Sequence, residues 1–178
     1  SGALYQLAAR WARGQGMPIA VHVTEAPDEV ALLRDGTGGF AEAWRHRKIP
    51  VPEAHCSPVE WLERHGVLGP DTTAVHAIHV DGADVATLAR RGCGVAHCPR
   101  SNRRHRHGEA PLAQLMGAID RLGVGTDSVA SVAPLDLLAE ARAARTLARC
   151  SPERALERPS IGAARAIGID PDLGTLYR

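Results

Sequence analysis

Aromatic side chains are scarce in this sequence, since Phe, Tyr and Trp together make up 3% of its 178 residues. Proteins that hold single-stranded nucleic acid commonly stack its bases on such rings, so their scarcity argues against a stacking platform. An excess of one charge is also lacking, because 21 Lys and Arg residues stand against 20 Asp and Glu residues. We therefore expect neither a nucleic acid nor a membrane as partner.

Paired cysteines and long apolar runs are absent as well. The four cysteines are Cys56, Cys93, Cys98 and Cys150, and they show no C-x-x-C spacing. This pattern favours free thiols in a reducing, cytoplasmic compartment. No apolar run approaches membrane-spanning length, and no signal-peptide pattern opens the chain. We expect a cytoplasmic protein that is long enough to bury one core.

Hydrophobic periodicity predicts helices and strands in alternation. The predicted strands are Ile19 to Val23, Thr73 to Ile78, Gly94 to His97 and Asp120 to Gly125. Cys98 to Asn102 is predicted to be a loop, and the last two helices are predicted over Pro134 to Leu147 and Pro152 to Ile167. Alternation of this kind indicates a parallel sheet with helical crossovers. Four strands are about half of an eight-stranded barrel.

Three of these strands lead to side chains that bind metals. His22 and His76 each close a run rich in Ala, Val and β-branched residues, and Asp127 follows Gly123-Val124-Gly125-Thr126. Imidazole and carboxylate are ordinary ligands of divalent transition metals. Because parallel strands end at one edge of a sheet, we expect these three side chains to converge there.

Alternation along a strand predicts which way each side chain faces. His22 is predicted to face the barrel axis, while Val21 and Val23 lie against helices. By the same parity, His76 is predicted to share a face with Ala74.

Four motifs in a fixed order resemble the amidohydrolase superfamily, in its deaminase and chlorohydrolase branch. They are His22-x-x-Glu25, Val75-His76-Ala77-Ile78-His79-Val80, Ala96-His97-Cys98-Pro99-Arg100-Ser101-Asn102 and Gly125-Thr126-Asp127-Ser128. Gly36-Thr37-Gly38-Gly39-Phe40 and Ser57-Pro58-Val59-Glu60-Trp61-Leu62 are most similar to aminodeoxyfutalosine deaminases and the related adenosine and S-adenosylhomocysteine deaminases.

The resemblance implies an α/β fold, the C-terminal part of a TIM-type (β/α)8 metal-dependent hydrolase barrel. Residues 1–178 are expected to form one partial barrel domain, without the first strands, their His-x-His motif and the flanking β-sandwich. The remainder of the barrel is therefore an expected partner, and assembly into a homo-oligomer is left open.

The resemblance also implies a site. His22, His76 and Asp127 would hold one divalent metal ion, Zn²⁺ with Fe as the alternative. Asp127 would also take a proton from the metal-bound water, and Glu25 would protonate the substrate's ring nitrogen. His79, Ser101 and Asn102 would bind or shape the substrate.

The implied reaction is the metal-dependent, hydrolytic deamination of an adenine-like nucleoside or a related aminated N-heterocycle, at a carbon–nitrogen bond other than a peptide bond. The alternatives are another amidohydrolase-type hydrolase, either a chlorohydrolase or a guanine deaminase, and a catalytically silent truncated fragment. With an incomplete set of metal ligands, the chain alone is expected to be inactive.

Other polar residues have simpler interpretations. The segment His105-Arg106-His107 is predicted to be a solvated loop, because no strand leads into it. Arg142, Arg145 and Arg149 are predicted to be a solvent-facing helix edge and not a phosphate site. Glu25 could instead belong to the first turn of the helix at Pro27, where acids are favoured. His79 and His97 could each be structural.

Overall fold

A computed structural model describes residues 1–52 and 54–176, so residues 53, 177 and 178 of the expected domain lie outside the described part. The elements are α1 (Gly2–Gly14), β1 (Ile19–Val23), α2 (Pro27–Asp35), α3 (Gly38–His46), α4 (Pro58–Arg64), β2 (Thr72–His76), α5 (Gly82–Arg90), β3 (Gly94–His97), α6 (Pro99–Arg104), α7 (Leu112–Ala118), β4 (Leu122–Val124), α8 (Leu137–Ala148), α9 (Pro152–Glu157) and α10 (Ile161–Ile167). Within these ranges, no helix is both long and apolar enough to cross a membrane.

The four strands form one parallel sheet in the order β1-β2-β3-β4. Each strand lies beside the next one in the sequence, and helices make every crossover. This is the strand order of a barrel wall, in which all carboxyl ends point the same way. The predicted parallel α/β architecture is confirmed.

Local sequence signals explain where the helices begin. Pro27, Pro58 and Pro152 each occupy the first turn of a helix, where the missing amide proton costs nothing. Ser57 caps the amide of Glu60 at the start of α4. The α2 helix ends at Gly36, whose φ of 64° is left-handed.

One face of the sheet is covered by the crossover helices. Its strand side chains are Val21, Val23, Ala74, Val95, Leu122 and Val124, all buried in a single hydrophobic cluster. Helices α4, α5, α7 and α8 supply the facing residues, among them Leu62, Leu88, Leu115 and Ala144. This confirms that Val21 and Val23 lie against helices, and that His22, which is exposed, faces the other way.

Helix α10 packs on the opposite face, where the strands carry very small residues. A Cβ atom on Gly123 would lie 2.5 Å from the Cα of Ala163, and one on Gly94 would meet the carbonyl oxygen of Ala166 at 1.9 Å. The hydroxyl of Thr73 donates to that same carbonyl at 2.8 Å. The helix backbone therefore rests directly on the sheet at these positions.

Two secondary-structure predictions were wrong. Cys98 to Asn102, predicted to be a loop, leads into helix α6, which Pro99 begins. The single helix predicted over Pro152 to Ile167 is two helices, α9 and α10. The amide of Val124 in β4 donates to the carbonyl of Arg158 at 3.0 Å. In one continuous helix, that carbonyl would instead accept a hydrogen bond from an amide of the next helical turn.

The contact between α10 and β4 gives a testable pair of glycine substitutions. Gly123→Ala should lower the free energy of unfolding by about 1–3 kcal/mol, because its Cβ meets backbone that must shift. Gly117→Ala, on the exposed surface of α7 with open space around it, should raise that free energy by about 0.5–1 kcal/mol. Urea unfolding of both variants measures the difference, and equal effects would contradict this packing.

Candidate active site

The backbone adopts left-handed conformations where three strands end. Thr24 follows β1 with φ 52°, His76 closes β2 with φ 72°, and Asp127 follows β4 with φ 61°. Residues other than glycine rarely adopt a positive φ, and such positions cluster at functional sites. Of the eight non-glycine residues with positive φ in the described part of the chain, four lie at this carboxyl edge: Thr24, His76, Ala77 and Asp127.

The left-handed turn at His76 decides which way its ring faces. The strand register pairs Ala74 with Val21, on the helix-covered face, so simple alternation would bury His76 there too. A positive φ swings Cβ about the N–Cα bond, and the ring instead lies beside His22, with the ring centroids 5.2 Å apart. The prediction that His76 shares a face with Ala74 is therefore wrong, although the two histidines do converge.

A hydrogen bond fixes the tautomer of His76. Its Nδ1 lies 2.9 Å from Oδ1 of Asn102, an oxygen that can only accept, so Nδ1 carries the proton and Nε2 the lone pair. The ring is buried, and burial lowers its pKa, while nearby Glu25 and Asn102 act in the opposite direction. His76 is thus a neutral imidazole with Nε2 available to a ligand.

Glu25 lies between two imidazoles at this edge. Its Oε1 is 3.5 Å from Nε2 of His76 and 3.2 Å from Nδ1 of His107. The Glu25 amide donates to Oε2 of Glu29 at 3.0 Å, and burial raises the pKa of Glu29. Because Ala26 caps α2, Glu25 lies before the helix, and the first-turn interpretation of Glu25 is wrong.

Asp127 is held by the hydroxyl of Ser101, which donates to its Oδ2 at 2.6 Å. Burial acts to raise the pKa of Asp127, but hydrogen bonds from the side chains of Ser101 and Ser131 and from the backbone of Ser128 outweigh it, and the pKa lies below its ordinary value. Asp127 is therefore ionised at neutral pH, as a metal ligand or a base must be.

The predicted substrate-binding residues differ in position. Ser101 and Asn102 are buried and bonded to Asp127 and His76, whereas His79 is half-buried and donates from Nε2 to the carbonyl of His107 at 2.6 Å. His97 is structural, because its Nδ1 donates to the carbonyl of His76 at 2.6 Å and burial lowers its pKa to about 4.

Sequence reasoning missed His107 and Glu29. His107 was predicted to be in a solvated loop, but it is half-buried with its ring near Glu25, while His105 and Arg106 are exposed as predicted. No spacing rule links His107 to Glu25 across this distance in sequence. Glu29 could have been suspected, because it lies four residues after Glu25 in the first turn of α2.

Two of the three expected metal ligands, His22 and His76, have a spacing that fits one divalent metal ion. Two imidazoles bound to one tetrahedral zinc ion, at Zn–N distances of about 2.0–2.1 Å, place their ring centroids about 5 Å apart. The rings of His22 and His76 match this spacing at 5.2 Å. Over residues 1–52 and 54–176, however, no group of three or more His, Cys, Asp or Glu is spaced to hold a metal ion. Ligation by Asp127 stays a prediction.

Comparisons with known proteins extend this description. The amidohydrolase family profile matches residues 3–177. The chain is 34% identical over 175 residues to an aminodeoxyfutalosine deaminase of Deinococcus radiodurans, a match covering 93% of this chain and 42% of the relative. It is 35% identical over 170 residues to a 5-methylthioadenosine/S-adenosylhomocysteine deaminase of Pelotomaculum thermopropionicum, covering 91% of this chain and 35% of the relative. The chain thus spans less than half the length of these curated relatives.

Solved structures show the same fold. An adenosine deaminase from Xanthomonas campestris, crystallised with bound zinc, superposes with a TM-score of 0.82 at 27% identity, over 99% of this chain and 38% of that one. The predicted fold, part of a hydrolase barrel with parallel strands, is confirmed. With the family profile matching nearly every residue and the strand-end side chains in place, the chain belongs to the amidohydrolase family.

Proposed function

We propose that the complete protein is a metal-dependent deaminase of an adenine-like nucleoside or a related aminated N-heterocycle. The observation that carries this proposal is the meeting of His22, Glu25 and His76 at one edge of the sheet. The deaminases that this chain resembles at 34% and 35% identity support the choice of reaction.

His22 and His76, together with Asp127, would hold the metal ion. We take this ion to be Zn²⁺, because the adenosine deaminase from Xanthomonas campestris contains it and because these donor types suit it; Fe is the alternative. When bound, such an ion lowers the pKa of a water molecule toward 7 and so supplies a nucleophile at neutral pH.

The two carboxylates, Asp127 and Glu25, carry out the proton transfers. Asp127, ionised beside Ser101, accepts a proton at Oδ1 or Oδ2. Glu25 delivers a proton to the ring nitrogen of the substrate, and His107 on its far side orients the carboxylate. Ser101 and Asn102 are 0% and 2% exposed, so they act by positioning Asp127 and His76 more than by touching substrate.

The alternatives have less support. A triazine-acting chlorohydrolase and a guanine deaminase share the fold at 24% and 18% identity, which is evidence for the fold alone. A catalytically silent fragment would lack bound metal. A cytoplasmic location stays a prediction from the sequence, and assembly into a homo-oligomer stays open.

The proposal is tested on the complete protein reconstituted with Zn²⁺. Metal content is measured first, followed by ammonia release from adenosine, S-adenosylhomocysteine, aminodeoxyfutalosine and guanine. We expect bound metal and release from at least one adenine-like nucleoside. Metal without release from any of the four would refute deamination of this class, and the absence of metal would favour the silent fragment.

Asp127→Asn should remove nearly all turnover in the complete protein and leave the fold intact. The amide is isosteric but cannot accept a proton, and loss of acid–base catalysis typically costs about 10²–10⁴-fold in rate. Ammonia release and the thermal unfolding midpoint measure the two effects. Asp120→Asn, on an exposed bend, is the control and should keep full activity. Full activity in Asp127→Asn would refute the role of Asp127.

Glu25→Gln should lower kcat by about 10²-fold or more, because glutamine cannot deliver a proton, while metal content stays unchanged. Steady-state kinetics and metal analysis of the same sample separate the two. Glu42→Gln, exposed on α3, serves as the matched control. Loss of metal along with activity would instead make Glu25 a support for the metal ligands.

A further inference from the structure

A second concave feature lies on the outer side of the sheet, between α8 and the segment that runs from α6 through residue 109. Its cavity volume is about 720 Å³. Small-molecule sites typically enclose about 300–1,000 Å³. None of the residues identified so far as metal ligands or carboxylate catalysts lines this groove.

Arginines form both walls of the groove. Arg100, Arg103 and Arg106 lie on one side, and Arg142 and Arg149 lie on the other. Arg142 lies on α8, whereas Arg149 follows the end of that helix with a left-handed φ of 51°. Together with Arg145, these two arginines also line an adjoining hollow.

These guanidinium groups are poorly neutralised. Arg100 is 3.5 Å from the buried carboxylate of Glu140. In the part of the chain that the structure covers, the other five arginines form no ion pair, and Glu109 is the acidic residue that lines the groove. Like charges held close together repel, so an anion seated between them would relieve the repulsion.

Two residues that line the groove, His97 and Asn102, each have a buried polar atom without a partner. Nε2 of His97 and Nδ2 of Asn102 find no hydrogen bond among the described residues, although the two side chains are only 1% and 2% exposed. His97 donates from Nδ1 to a carbonyl, so its Nε2 is an acceptor, while the Asn102 amide nitrogen is a donor. Buried polar groups are normally paired, and of these two only the Asn102 donor can bond to an oxygen of an anion.

Arg142, Arg145 and Arg149 are exposed, as the sequence predicted. Against the prediction that they form no phosphate site, we propose that this groove binds a small ligand that carries two or more phosphate groups. Planar guanidinium groups match phosphate oxygens in pairs, which makes arginine the preferred side chain for phosphate recognition. Five arginines line the groove, which is more than one phosphate group can bind through paired hydrogen bonds. No Phe, Tyr or Trp appears among the groove's described lining residues, so recognition does not use base stacking.

The test is calorimetric titration of the complete protein with tripolyphosphate, at about 0.15 M salt to screen loose attraction. We expect saturable binding of one tripolyphosphate per chain. Arg103→Gln combined with Arg142→Gln, one from each wall, should weaken binding about tenfold or more, because charge-assisted hydrogen bonds are lost. Arg10→Gln combined with Arg47→Gln removes the same charge from exposed positions elsewhere and should change affinity less than about twofold.

A second readout does not depend on the variants. Tripolyphosphate should shift the amide resonances of Ala139, Ala143 and Thr146, which line the groove on α8, and spare those of α1. Equal weakening in both double variants, unsaturable binding, or shifts spread over the whole surface would overturn the proposal. Binding of a single-stranded oligonucleotide without binding of tripolyphosphate would overturn it too, by assigning the groove to nucleic acid.

Discussion

The hydrogen bond between His76 and Asn102 is the constraint on which the candidate site depends. It joins the end of β2 to helix α6, and both partners are almost fully buried. Strained backbone persists only where surrounding contacts over-determine it. The φ of 72° at His76 is held by this bond and by the bond from His97 to the His76 carbonyl. Without them, the extended strand geometry would return the ring to the helix-covered face.

The surroundings of His76 and Asp127 hold these two side chains in different protonation states. Burial keeps His76 neutral, and the hydroxyl of Ser101 helps to keep Asp127 ionised in spite of partial burial. Glu25 lies between two imidazoles, with its main chain tied to Glu29. Acid–base sites recur in which neighbouring groups are driven to different protonation states by different environments. The ionised state of Asp127 suits the role of base that is proposed for it.

Much of the fold could be predicted from the sequence, because apolar periodicity reports burial directly. The limits of β1 and β3 were predicted to the residue, and Val21 and Val23 face the helices as alternation requires. What failed were features set by contacts distant in sequence. Alternation could not reveal the left-handed turn at His76, and no local pattern shows that strand β4 would bond to Arg158 and divide the last helix.

The candidate site was predicted from motif order, and its less regular parts were not. The convergence of His22 with His76 follows from parallel strands ending at one edge, which sequence can anticipate. His107 lies beside Glu25, and His79 bonds to the carbonyl of His107, a contact between two segments that share no motif. The loop predicted over Cys98 to Asn102 was also wrong, because most of it belongs to helix α6. This helix buries Ser101 and Asn102, while Arg100 and Arg103 line the groove. Asn102 thus bonds to His76 through Oδ1 and also lines the groove, so the candidate site and the groove share one buried side chain.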